Sequence, residues 1–102
     1  MSKQQTAVFF LKLSHTQSRE NIKSDAFRYC SQNALSIARF LSIKEDSDNT
    51  VTCYALWEIS RICDIYPAVI LYTNSELPCL DHFPLVRQAL IDGVLTIRHW
   101  NC

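Results

Sequence analysis

Glycine is almost missing from this chain: Gly93 is the only one in 102 residues. Gly-rich phosphate cradles need backbone that can approach an anion closely, so that class of nucleotide-binding loop is disfavoured. An excess of charge is missing as well. Ten lysines and arginines balance ten aspartates and glutamates, and the formal net charge is zero. A dedicated nucleic-acid binder carries a basic surplus that displaces counterions. Contact with nucleic acid is therefore expected to be weak or indirect. Long apolar runs are absent: none nears the roughly 20 residues that a membrane helix needs. Residues 7–11, interrupted by Lys12, are too short for a signal-peptide core. The expectation is a cytoplasmic protein that does not enter membranes. No Cys-x-x-Cys or Cys/His spacing fits zinc, and neither a metal nor a cofactor is expected.

The composition that remains is that of an ordinary globular domain, with 48% apolar and 20% charged residues. The length suits one compact domain over residues 1–102. The cysteines are Cys30, Cys53, Cys63, Cys79 and Cys102. The first three fall on apolar stripes of expected helices, where cysteine acts as a small hydrophobe. Cys79 and Cys102 are expected to carry the exposed thiols.

Residues 7–13, AVFFLKL, are aromatic and apolar and predict a buried strand. From about Ser18 the period changes. Ile22, Ala26, Cys30 and Ala34 recur every four residues, as on an amphipathic helix, with Ser18 or Thr16 as its cap. Residues 36–43, SIARFLSI, predict a second strand, followed by the polar loop KEDSDNT. Its acidic residues read as a solvated loop, with a metal site as the lesser alternative. Val51, Tyr54, Ala55, Ile59, Ile62 and Cys63 mark a second helical face, capped by Thr50 or Asn49.

Residues 67–73, PAVILYT, form the most continuous apolar run and predict a strand buried on both faces, as in a parallel sheet. A third helix follows, with Asp81 as cap, Pro84 in its first turn, Leu85, Val86, Ala89 and Leu90 as its stripe, and Gly93 as its stop. Residues 94–100, VLTIRHW, predict the last strand. The order β-α-β-α-β-α-β favours an α/β fold in three layers, a four-stranded and mostly parallel sheet flanked by helices.

This order of elements, together with a few local runs, resembles the N-terminal catalytic domain of serine recombinases, the resolvase and invertase family. That family's first strand ends in Arg-Val-Ser-Thr-x-x-Gln. The corresponding run here is Lys12-Leu13-Ser14-His15-Thr16-Gln17-Ser18. The resemblance places the family's nucleophilic serine on Ser14 and its first arginine on Lys12. Ile91-Asp92-Gly93-Val94 matches the start of the family's fourth strand. The resemblance covers about residues 7–100 and implies a resolvase-like or flavodoxin-like sheet, in a bacterial or phage-derived setting.

The departures bear on chemistry. After its third strand the family has Asp-Arg-Leu-x-Arg, whose arginines hold the scissile phosphate. Here the run is Ser75-Glu76-Leu77-Pro78-Cys79, and only the leucine is kept. A further family arginine would fall near Thr50 or Val51. A serine hydroxyl attacks a phosphodiester only where cations neutralise the developing charge. Lys12 keeps one charge but not a planar fork. Ser14 and Lys12 are therefore vestigial catalytic candidates, and His15 reads as a loop residue rather than a base. His82 and His99 lack partners at ligand spacing.

The expected role is that of a degenerate, non-catalytic domain that binds another protein or itself, as an interaction or regulatory module, with Trp57, Trp100, Arg98 and His99 as interaction candidates. The alternatives are an enzyme that uses Ser14 as nucleophile in phosphoryl transfer, and an accessory factor in DNA recombination or transcription. The charge balance yields a first test. In gel-shift titrations at about 0.15 M salt, DNA binding should be weak and without sequence preference. Tight, selective binding would remove the protein-partner expectation.

Overall fold

The computed structural model describes residues 5–77 and 82–101. The strands are β1 (Gln5–Leu13), β2 (Leu35–Lys44), β3 (Val69–Thr73) and β4 (Leu95–His99). The helices are α1 (Arg19–Gln32), α2 (Asn49–Ile65) and α3 (Pro84–Ile91). The sheet has the order β2-β1-β3-β4, and every pairing is parallel. The fold is thus the three-layer α/β arrangement anticipated, with a fully parallel sheet. Among the described residues, no helix is long and apolar enough to cross a membrane.

Two cores sit on the two faces of the sheet, and the alternation of strand side chains sorts residues between them. Val8, Phe10, Val69, Leu71 and Leu95 meet Ala55, Leu56, Ile59 and Ile62 of α2 and Val86 and Ala89 of α3. Ala7, Phe9, Leu11, Leu13, Ile70 and Tyr72 meet Ala26 and Cys30 of α1. All five residues of β3 are buried, which explains its unbroken apolar run. Phe9 and Phe10 are wholly buried, and each such side chain contributes about 1.5–3 kcal/mol relative to exposure.

The helix ends follow local chemistry. Ser18 caps α1, and its side chain accepts from the Asn21 N–H. The α2 cap is Asp48 rather than Thr50 or Asn49: its carboxylate accepts from the Thr50 N–H at 3.0 Å. A carboxylate there also opposes the positive end of the helix dipole. Pro84 starts α3, whose N-cap is Phe83; the anticipated cap Asp81 lies outside the described residues. Gly93 adopts φ +77° just past α3, as a helix stop requires.

Three apolar stripes differ from expectation. Ala34 is not on α1: the helix ends at Gln32, Asn33 donates from Nδ2 to the Tyr29 carbonyl, and Ala34 turns the chain with φ +55°. On α2 the buried face is Thr52, Ala55, Leu56, Ile59 and Ile62, while Val51 and Tyr54 point to solvent. Compact aliphatic side chains pack against the flat sheet, and the bulky rings rotate outward. Leu85 of α3 is likewise exposed.

Cys30 is a buried free thiol, and burial pushes its pKa up to about 11. Cys63 is also free and is raised by desolvation and by Asp64. Both stay protonated at neutral pH and are inert fillers. Cys53 departs from the small-hydrophobe expectation because it is disulfide-bonded. Cys79 and Cys102 lie outside the described residues.

Thr52 offers a test of the packing. Its side chain is fully buried, and its Oγ1 has no hydrogen-bond partner among the described residues. An unsatisfied buried hydroxyl costs about 1–3 kcal/mol. The isosteric change Thr52→Val should raise the unfolding free energy by about 1 kcal/mol in urea titrations. An unchanged or lower midpoint would show that the hydroxyl is satisfied.

Candidate functional site

In open parallel sheets, ligands bind beyond the strand C-termini where the strand order reverses. Here that point lies between β1 and β3, because the chain moves from β1 outward to β2 and then crosses to β3. The crevice is sutured. The Asn74 side chain, just past β3, accepts from the Lys12 N–H at 2.8 Å and donates to the Lys12 carbonyl at 2.8 Å. The amide copies one rung of a ladder and holds the two strand ends together.

The open space lies one strand over, beyond β1 and β2. A cavity of about 410 Å³ is lined by Leu13, Ser14, His15, Gln17, Arg19, Ser42, Ile43 and Lys44. Ser14 stands on a turn closed twice. Its N–H donates to Gln17 Oε1 at 2.8 Å, and the Gln17 N–H donates back to the Ser14 carbonyl at 3.2 Å. The Ser14 hydroxyl shares a hydrogen bond with Thr16 Oγ1 at 3.0 Å. This turn delivers the chain to the start of α1.

Arg19, which lines the cavity, is already engaged. Arg19 donates from Nε to Ser42 Oγ at 2.9 Å, pairs with Glu20 at 3.4 Å and lies over the Phe40 ring at 5.4 Å. His15 faces Asp46 at 3.8 Å. Lys12 does not line this cavity, nor do Glu76, Thr50 and Val51. Among the described residues, Arg19 is the single guanidinium lining the space beside Ser14. Among the described residues no three His, Cys, Asp or Glu side chains gather where they would hold a metal.

The arrangement supplies a hydroxyl and two nearby cations, Arg19 and Lys44; among the described residues the partner on the hydroxyl is Thr16, not a base. Phosphoryl transfer needs deprotonation of the nucleophile and several preorganised donors, and losing one donor costs on the order of 10²–10³ in rate.

The interaction candidates separate in space. Trp100 packs into the α1-side core, with its ring 5.1 Å from Phe9 and 4.8 Å from Tyr29. Trp57 is 48% exposed and Tyr54 is 63% exposed on the outward face of α2. Their rings lie 6.0 Å apart, and Arg61 stacks on Trp57 at 5.1 Å. Arg98 and His99 are exposed on the edge strand β4, where His99 Nε2 meets Asn101 Oδ1 at 2.7 Å.

Sequence reading missed Asn74 and the outward turn of Tyr54. Asn74 sits 62 positions from Lys12, and only the pairing of β1 with β3 reveals its role. Among the basic residues around this end of the sheet, Arg19 and Lys44 share the cavity and Arg19 and Lys23 share a neighbouring groove, while Lys12 lines neither.

No family model, curated protein or solved structure matches the chain.

The suture is testable. Asn74→Ala removes both bonds and leaves the Lys12 N–H and carbonyl without them. The loss should be about 1–3 kcal/mol in chemical denaturation, with faster amide exchange at Lys12. An unchanged exchange rate would show that water replaces the side chain at no cost.

Proposed function

We propose that this chain is a non-catalytic α/β domain that works by binding another protein, in a regulatory role. The observation that carries this reading is the exposed ridge on α2. Tyr54 and Trp57 stand side by side in solvent, flanked by Val51 and by Arg61 stacked on the indole. The core is closed without them: the inward face of the same helix already fills the space over β1 and β3. Two adjacent exposed rings beside an arginine make up the side-chain set that dominates binding hot spots. Continued exposure of such rings is costly unless a partner covers them.

The recombinase resemblance fits this reading as a shared framework without the shared chemistry. Lys12 does not line the cavity that holds Ser14, and the Ser14 hydroxyl is engaged by Thr16. The second reading is an enzyme. Its support is the cavity itself, where Ser14 shares a space with Arg19 and Lys44. It requires Arg19 to leave Ser42 and Glu20 and turn toward an anion.

One comparison separates the two. The wild type, Ser14→Ala and the double variant Tyr54→Ser/Trp57→Ser are used as bait in native-host extract, with quantitative mass spectrometry. A partner retained by Ser14→Ala and lost by the double variant, with unchanged circular dichroism, is the expected result. Equal capture by all three baits, or a covalent adduct at Ser14, would overturn the proposal.

A further inference from the structure

Among the described residues no strand lies on the outer side of β2, and its surroundings differ from those of the other edge. β2 is ten residues long, whereas β4 has five. An extra residue at Ala38 shifts the β1–β2 register, so that Ala7 faces Ile37 and Val8 faces Arg39. Beyond this bulge, Arg39 to Lys44 run in unbroken register with Val8 to Leu13. That stretch presents a regular edge of about the length of an ordinary strand.

A groove flanks this edge on each face of the sheet. On the α1 side, about 480 Å³ lies among Arg19, Lys23, Phe27, Ile37, Arg39 and Phe40. On the α2 side, about 370 Å³ lies among Arg39, Glu58, Arg61, Ile62, Ile65 and Tyr66. Each groove combines apolar walls with cations. Together they hold Arg19, Lys23, Arg39 and Arg61 against two carboxylates, Glu58, which pairs with Arg39 at 3.7 Å, and Glu20, which pairs with Arg19 at 3.4 Å, so the cations stay in excess. The chain as a whole is neutral, so this edge is a local basic strip.

We propose that the β2 edge is a strand-addition site for an extended acidic segment of another protein. The inference rests on the protein-binding reading above and specifies the chemistry of the partner. In strand addition, main-chain bonds supply affinity, and alternate side chains enter pockets on either face. Both requirements are met at β2: open backbone along 39–44, and a groove on each side. The cations select the occupant. A second copy of this chain would bring its own Arg19, Lys23, Arg39 and Arg61 against the same four, and like charges placed opposite each other destabilise pairing. Edge cations guard native sheets against self-association, and the same cations attract a strand that carries glutamate or aspartate. The α2-side groove runs into the ridge, because Arg61 lines the groove and also stacks on Trp57.

The test uses two synthetic peptides of equal length, each alternating isoleucine or valine with a charged residue. One carries glutamate and the other lysine. Each is titrated into the ¹⁵N-labelled full chain. The acidic peptide should shift the amides of residues 39–44, bind more weakly as salt rises, and lose affinity roughly tenfold with Arg39→Glu, the size of one reversed charge-assisted contact. Lys23→Glu, on the helix rather than the strand, should weaken it in the same direction without loss of fold. Equal binding of both peptides, shifts confined to β4, or a dimer that buries β2 in sedimentation would each overturn the inference. A partner that depends on Trp57 but leaves the 39–44 amides unmoved would also overturn it, while leaving the protein-binding reading in place.

Discussion

β1 runs through the interior of the sheet and sends alternate side chains into both cores. Val8 and Phe10 enter the core under α2 and α3, and Ala7, Phe9 and Leu11 enter the core under α1. All five are fully buried. β2 reaches both layers too, but mostly with half-buried side chains, and β3 repeats the fully buried pattern beside β1 over five residues. Because the pleat alternates strictly, a slip of one residue would exchange the two cores. The register of β1 against β3 is thereby fixed, and with it the position of everything that follows the strand ends. Asn74 reaches the Lys12 backbone only because Phe10 faces Thr73. Ser14 begins its turn at a point set by the same register.

The two faces are closed by different means. Two helices cover one face, and α1 covers the other with help from rings. Phe9, Tyr29, Tyr72 and Trp100 form a cluster in which Phe9 stacks on Tyr72 at 5.0 Å and Trp100 meets both tyrosines edge-on. The Trp100 N–H donates to the Thr73 carbonyl, which carries the ladder one residue past β4 and fixes the indole over this face. Burial and the Tyr29 hydroxyl push the Tyr72 phenol well above its ordinary pKa, and the two hydroxyls share a hydrogen bond at 3.3 Å. The two tryptophans thus have opposite situations. Trp100 completes a core, and Trp57 stands outside one that is already complete.

The strands were readable because a parallel sheet asks little of the pattern. Residues 7–13 and 67–73 are apolar almost throughout, and no choice of face has to be made for a strand buried on both sides. Helices require that choice. The second helix has apolar residues at Val51, Tyr54, Ala55, Leu56, Trp57, Ile59 and Ile62, enough for two overlapping stripes. Hydrophobicity cannot rank them, because tyrosine and tryptophan carry polar tips that tolerate solvent. Packing against the sheet decides, and it buries Thr52 in preference to Tyr54. Ala34 misled in the opposite direction: it continued the spacing of α1, but Asn33 ends the helix first. At the candidate site, Ser14 was visible in the sequence, but the contacts that define its state come from Thr16, Gln17 and the strand next door. The disulfide at Cys53 was equally hidden, since spacing alone does not give connectivity.

A zero net charge concealed the most informative electrostatic feature. Screening limits the reach of surface charge to about 8–10 Å at physiological salt, so an approaching partner senses the local strip rather than the sum. Around β2 that strip is basic, because α1 contributes Arg19 and Lys23, β2 contributes Arg39 and α2 contributes Arg61. The bulge at Ala38 matters to this gathering. Had Ala38 paired with Val8 instead of bulging, every later side chain would take the opposite face, and Arg39 would leave the α2 side, where it meets Glu58. The same shift keeps Phe40 on the α1 side, beneath the Arg19 guanidinium. One irregular residue in an edge strand therefore keeps Arg39 on one face and Phe40 on the other. The sealed crevice at Lys12 and Asn74 completes the contrast. Where such folds usually admit a small ligand the backbone is closed, and the exposed rings and cations lie along β2 and α2, beside an open strand edge.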